Sequence, residues 1–404
     1  MEANKKWDLA ALASIPLIMT LGGSMLIPIL PTIEKELNIT KFQSSLIITV
    51  HSFASILLVP VAGYLSDKLG RKKIIVPSLI ITSIGGIISG LAAWLMPKSF
   101  WIIIAGRLIQ GIGASGAFPV VIPTVGDMFK EDADVSKGLG IIETSNTFGK
   151  VVSPILGAAL AAILWFIPFF AISFFAIISV FLVAFLVKTP NEKDKEENDN
   201  FRVFVKKTKD ILKKEGRWLS GIFSGGFITT FILFGLLFFF SSVLEDTHGI
   251  KGIPRGLIVA IPLLTLCSTS FIIGKIIGKE KYLMKWIIVF GNILAITSLI
   301  ALNLWNNLIY LTTVLSFATI GIGAILPCLD ALVTEGIEKL HRGTITALYS
   351  SMRLLGVALG PPIAALLIKS GTMAVFYSFA GANAVAIILT LLLIKPKKPY
   401  PKPA

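Results

Sequence analysis

Cysteine and charge are both scarce in this chain, and each shortage closes off a kind of chemistry. The two cysteines, Cys267 and Cys328, fall inside long apolar stretches, so neither a disulfide framework nor a thiolate metal site is indicated. No G-x-x-x-x-G-K-[ST] loop is present to cradle nucleotide phosphates, which speaks against ATP-driven work. No H-E-x-x-H run suggests a zinc protease. Only 15% of the 404 residues are charged, against 54% apolar, and the mean hydropathy is +0.84. Water is therefore not the solvent for most of this surface, and an ordinary soluble enzyme is excluded.

What the chain has is length in its apolar runs. A bilayer core needs roughly 20 apolar residues per helix, and runs of that length recur from end to end. Spans are expected near 9–30, 44–63, 74–95, 101–126, 138–161 and 166–187, then near 218–242, 255–277, 286–304, 307–329, 344–368 and 372–394. The first is too long for a signal-peptide core and lacks a small-residue cleavage pattern.

The formal net charge of +14 would point to nucleic acid in a soluble protein, but its distribution points to a membrane. With both termini in the cytoplasm, roughly 27 Lys and Arg lie on inner segments and about 6 outside, the usual orientation bias. The longest polar interruption, 188–217, divides the spans six and six: a first bundle over 1–187, a cytoplasmic linker, and a second bundle over 218–404. Its first part reads as a solvated linker. Val203, Val205, Ile211 and Leu212 among lysines allow either more linker or a short helix on the inner membrane surface.

The halves echo each other, as in transporters built from repeats. Gly149, Ser153 and Gly157 match Gly356, Gly360 and Ala364, with Pro154 and Pro361 beside them. The "GIGA" run at Gly111 recurs at Gly321, and Lys137-Gly138 parallels Arg342-Gly343.

The loop "GYLSDKLGRKK" carries Gly63, Asp67, Gly70 and Arg71 after the second span. Gly63 is expected to let helices approach, Gly70 to permit a tight turn, and Asp67 to bond Arg71. This loop resembles the signature between helices two and three of the major facilitator superfamily. Span one, with Leu21, Gly22, Pro28 and Pro31, resembles that family's proton-linked drug-exporter branch, as does "RLIQGIGASG" in span four, with Arg107, Gln110, Gly111 and Gly113. Gly140, Gly149, Pro154 and Gly157 follow the exporter pattern of span five, with Ser153 and Ala158 replacing glycines. The resemblance implies an all-α membrane fold of about twelve helices in two pseudo-symmetric six-helix bundles. It also implies alternating access, no cofactor or bound metal, and a charge relay in which Asp127 joins Asp67 and Arg71 to latch the inner side. A topology-setting basic loop with no gating role is the plain alternative.

Ionisable groups at membrane depth are costly and usually functional. Glu143, Asn146, Thr147 and Lys150 recur at i, i+3, i+4 and i+7 on span five, giving it one polar face. Arg107 lies about seven residues into span four, about 10 Å of rise, and Arg353 stands in span eleven, aligned by the repeat with Asn146. Glu143 is the leading proton-coupling candidate; the alternative is a permanent ion pair with Lys150 or Arg107. Asp330, at the inner end of span ten, and His51 are further proton candidates, with surface exposure and helix packing as their plainer roles. Arg107, Gln110, Asn146, Lys150 and Arg353 are candidates to line a substrate cavity, and Phe227 joins them unless its Phe-rich face meets lipid or core. Span one has no acid, and the intramembrane charge leans positive, which favours a neutral or anionic solute.

The expected function is a proton-coupled exporter of small amphipathic compounds such as drugs, working as a monomer in the cell membrane and acting neither as an enzyme nor on nucleic acid. A siderophore-like metabolite as cargo, or proton-driven uptake, is the alternative within transport. A non-transporting membrane receptor or enzyme is the alternative outside it.

Overall fold

The computed structural model describes residues 3–129, 132–187, 201–277, 280–304, 307–335 and 342–395. Helices α1 (Ala3–Ser24) and α2 (Leu30–Leu37) are joined by a 3-10 turn at Ile27–Ile29. They are followed by α3 (Lys41–Leu69), α4 (Arg71–Leu95), α5 (Phe100–Met128), α6 (Asp132–Ile163) and α7 (Ile167–Leu186). Then come α8 (Phe201–Asp246), α9 (Gly252–Ile276), α10 (Lys281–Ala301), α11 (Leu308–Glu335), α12 (Arg342–Lys369) and α13 (Thr372–Leu393).

Among the described residues there is no strand, and twelve helical segments are long and apolar enough to cross a membrane. All-helical spanning follows from the solvent, because lipid offers backbone amides no partner outside their own helix. The expected spans are found, with the first extended to Leu37. Pro28 and Pro31 cannot donate, so the helix breaks at Met25–Ile29 and resumes as α2. Phe185 (78% exposed) and Trp101 (71%) stand on outward faces, as side chains meeting lipid do.

The polar interruption resolves in an unexpected way. Residues 188–200 lie outside the described part, but 201–217 are helical and continuous with the seventh span inside α8, rather than a separate surface helix. Nothing between Phe201 and Gly216 is a helix breaker, so the backbone has no reason to stop. The side chains of Val203, Val205, Ile211 and Leu212, like those of Lys137 and Arg342, are outside the description.

The chain forms two compact units, Met1–Val205 with Phe240–Ala260, and Lys206–Phe239 with Ile261–Ala404. The first is centred on Leu12, Ile15, Ile75, Leu79, Val121 and Val125, the second on Leu219, Ile222, Ile288, Leu329, Leu332 and Ile345. Each unit is drawn tight where two glycines face each other. A Cβ at Gly85 on α4 would lie 2.5 Å from the Gly106 carbonyl on α5, and one at Gly291 on α10 would lie 2.7 Å from the Gly321 carbonyl on α11.

The repeat noticed in sequence is also a repeat of packing. Gly149 on α6 closes on Leu17 and Thr20 of α1, while Gly356 on α12 closes on Phe227, Thr230 and Phe231 of α8. The Gly157 position meets Met25, and the Gly360 position meets the Phe231 carbonyl at 2.5 Å. One expected match fails. Gly111 faces His51 on α3, whereas Gly321 faces Gly291 on α10, so the counterpart of Gly321 by contact is Gly106. Gly63 and Gly140 also depart from expectation: among the described residues a Cβ at either would meet nothing within 4 Å, so neither glycine is set against a described neighbour. A motif shared in sequence names a glycine but not the face it sits on.

Candidate functional site

Two polar groups are assembled in the first unit at membrane depth. On α6, Asn146 donates to both Glu143 carboxylate oxygens at 3.1 and 3.3 Å, and Thr20 of α1 donates its hydroxyl to Asn146 Oδ1 at 2.6 Å. Thr147 spends its hydroxyl on the Glu143 carbonyl, inside its own helix. Glu143 itself is exposed and makes no ion pair among the described residues, and neither does Lys150. The polar face of span five is therefore hydrogen-bonded, and the Glu143–Lys150 or Glu143–Arg107 pair, the alternative to a proton role, is not formed among the described residues. Seven residues is two turns, beyond easy reach between the charged ends of Glu143 and Lys150.

Arg107 is fully buried and held by neutral groups instead. Its Nε donates to the Ile47 carbonyl at 2.9 Å, and its Nη1 donates to Gln110 Oε1 at 2.6 Å and to the Gly22 carbonyl at 3.3 Å. Arg107 Nη2 and Gln110 Nε2 are buried without a partner. Both orphaned atoms are donors, so the chemistry missing here is that of an acceptor. His51, one turn along α3 from Ile47, offers its carbonyl to the Ser55 hydroxyl at 3.1 Å.

At the α3–α4 junction Asp67, Arg71 and Asp127 come together. Gly70 caps α3 at φ 108°, a backbone state that favours glycine, and turns Arg71 inward. Arg71 is buried between two acids, Asp67 at 2.5 Å and Asp127 of α5 at 3.1 Å, and it donates to Ser66 Oγ at 2.8 Å.

In the second unit Arg353 of α12 pairs with Asp330 of α11 at 3.1 Å and lies 5.7 Å from the Tyr349 ring centre. Sequence reasoning named both charges but not their partnership, because 23 residues and a loop separate them. Phe227 stacks on Phe231, which meets Phe379 edge to face, and Phe223 lies against Tyr349. Phe227 thus packs within an aromatic group with Phe231 and Phe379, while the ring beside the Arg353 cation is Tyr349. Among the described residues no group of His, Cys, Asp or Glu is placed to hold a metal.

Twelve membrane-length helical segments among the described residues, with a buried arginine held by two acids at a helix junction, have recognisable kin. The chain matches the Major Facilitator Superfamily over residues 12–355 and 281–404. The protein belongs to this superfamily. A bacillibactin exporter of Bacillus subtilis (strain 168) is 50% identical over 393 residues, covering 97% of each chain. The multidrug efflux protein YfmO of the same organism is 26% identical, covering 95% of this chain and 92% of its own. Among solved structures, the human organic anion transporter MFSD10 superposes with a TM-score of 0.72 at 18% identity, over 96% of this chain and all of the other. That likeness shows the fold. Membership makes the molecule a multi-pass membrane protein of a transporter family, and it gives the Arg71 cage and the polar face of α6 a setting.

Proposed function

We propose that this major facilitator protein is a secondary-active exporter whose cargo is a siderophore such as bacillibactin, moved outward against a proton gradient by alternating access. The observation that carries this reading is the 50% identity, across 97% of both chains, with a bacillibactin exporter. It turns the order of the sequence expectations round, so that a specific metabolite stands ahead of drugs in general. The site chemistry supports it. The buried donors Arg107 Nη2 and Gln110 Nε2 lack acceptors, and Arg353 stands beside the Tyr349 ring; both suit an oxygen-rich, neutral or anionic solute better than a cation. The absence of a nucleotide loop leaves an ion gradient as the source of work, and Glu143, Asp330 and His51 remain the proton-carrying candidates.

Purified protein in proteoliposomes, with an imposed pH gradient, tests cargo and coupling together. Bacillibactin should move uphill only while the gradient lasts, with little movement of a quinolone. Uphill movement of the quinolone with none of bacillibactin would overturn the cargo and support the multidrug reading that resemblance to YfmO suggests. Uphill movement that persists after the gradient is collapsed would overturn the coupling.

A further inference from the structure

Away from the candidate site, the second unit gathers cations where α8, α10 and α13 meet. Leu219 of α8, Met284 of α10 and Ile394, just past α13, are buried there in one cluster. Beside it, Arg217 Nη2 donates to the Leu392 carbonyl at 3.0 Å, and Lys285 Nζ donates to the Leu391 carbonyl at 3.2 Å. Lys281 lies 5.8 Å from the ring centre of Trp218, whose indole N–H is buried without a partner. Lys395, two residues beyond α13, is exposed. Glu280, next to Lys281, is exposed too, and the side chain of Glu215 is outside the description. Among the described residues no carboxylate pairs with any of these cations.

Helix capping explains only part of this group. The last carbonyls of α13 have no partner within their helix, and the helix dipole favours cations there. Arg217 and Lys285 each spend one bond on that task, and neither has a further hydrogen-bond or ion-pair partner among the described residues. The first unit shows the cap without the surplus. Lys72 of α4 donates to the Val187 carbonyl beyond α7 at 2.9 Å, and its neighbour Arg71 is matched by Asp67 and Asp127. Cations gathered without a matching charge repel one another, and an oxyanion offering several acceptors relieves the repulsion. Apolar surface continues from the same place. Trp286, Phe290 and Ile293 recur at i, i+4 and i+7 as exposed residues of α10, and Val385, Ile388 and Leu392 at i, i+3 and i+7 as exposed residues of α13, which packs against it. A ligand that matches both features has an anionic head and long apolar tails.

We propose that the ends of α8, α10 and α13 bind one anionic phospholipid, its phosphodiester taking bonds from Arg217, Lys281 and Lys285 and its acyl chains lying along the two apolar ridges. Basic pockets between spanning helices suit such heads, because the site offers charge and donors at the depth where the phosphate sits. Tyr282 and Trp286, edge to face at 6.3 Å, flank the head as aromatic residues do at the membrane interface. The site needs the membrane setting alone, and neither the cargo nor the coupling ion enters its test.

Native mass spectrometry of the purified full chain, delipidated and then given phosphatidylglycerol and phosphatidylethanolamine in equal amounts, reads the site directly. The parent should retain one phosphatidylglycerol several-fold better than phosphatidylethanolamine. The triple change Arg217→Gln, Lys281→Gln and Lys285→Gln should abolish that preference, while Lys72→Gln, which removes a capping cation from the first unit, should keep it. Equal retention of the two lipids by the parent, or a preference that survives the triple change, would overturn the site. An equal loss in Lys72→Gln would show attraction by surface charge in general and overturn it as well. Displacement of the lipid by inorganic phosphate would overturn the lipid as occupant, since a free anion would then suffice. Should the triple variant fail to fold, Lys285→Gln alone decides: a several-fold drop in preference supports the site, and an unchanged preference refutes it.

Discussion

Glu143, Asn146 and Thr20 show how far single residues can be read. Glu143 and Asn146 are one helical turn apart, so their bond was legible from spacing alone. Thr20 was not, because its partner stands 126 residues away and only packing of α1 on α6 brings it there. The same holds for Asp330 and Arg353. If Glu143 carries the proton, Glu143→Gln keeps the size and the acceptor oxygen that Asn146 uses but cannot titrate. Gradient-driven efflux should vanish, while exchange of labelled for unlabelled cargo, which needs no net proton cycle, persists. The exposed, unpaired state of Glu143 implies that the variant folds normally, since no cation is left stranded by the change. Uphill efflux by the variant would move the proton role to Asp330 or His51.

At the scale of elements, the glycines divide by what faces them. Small-residue stripes on α6 and α12 were visible in sequence, yet the motif grouped contact glycines with open ones. A Cβ at Gly360 would lie 2.5 Å from the Phe231 carbonyl and 2.8 Å from the Gly235 amide, both backbone atoms that cannot turn aside. Gly360→Ala should cost about 1–3 kcal/mol through overpacking and lower the melting temperature in detergent. Gly140→Ala and Gly63→Ala should be neutral or stabilising, by up to about 1 kcal/mol from helix propensity, because nothing lies within 4 Å. A melting series across the three variants checks the ordering, and equal melting points would show that the α8–α12 contact yields more easily than its geometry implies.

At the scale of the whole molecule, the charge bias along the chain predicts an orientation that labelling checks. Lys209, on the N-terminal extension of α8, and Lys98, beyond the end of α4, are both exposed, and the bias assigns them to opposite faces. In intact cells an impermeant thiol reagent should label Lys98→Cys at once and Lys209→Cys only after permeabilisation. The opposite pattern would invert the topology.

What the sequence determined by itself was whatever is local or additive. Hydropathy summed over about 20 residues gives a span, and helical spacing gives the polar face of α6. What only the tertiary structure decided were the partnerships. Arg107 could have met Glu143, and meets carbonyls and Gln110. Glu245, Asp246, Arg255, Lys35 and Lys41 read as ordinary charges at the ends of spans, and become ion pairs, with Glu245 and Arg255 buried, because α8 and α9 meet α2 and α3 there. The physical reason is the same throughout. Secondary structure in a membrane is enforced by each segment's own backbone, whereas the pairing of charges depends on which helix ends converge, and that is fixed by packing between segments remote in the chain.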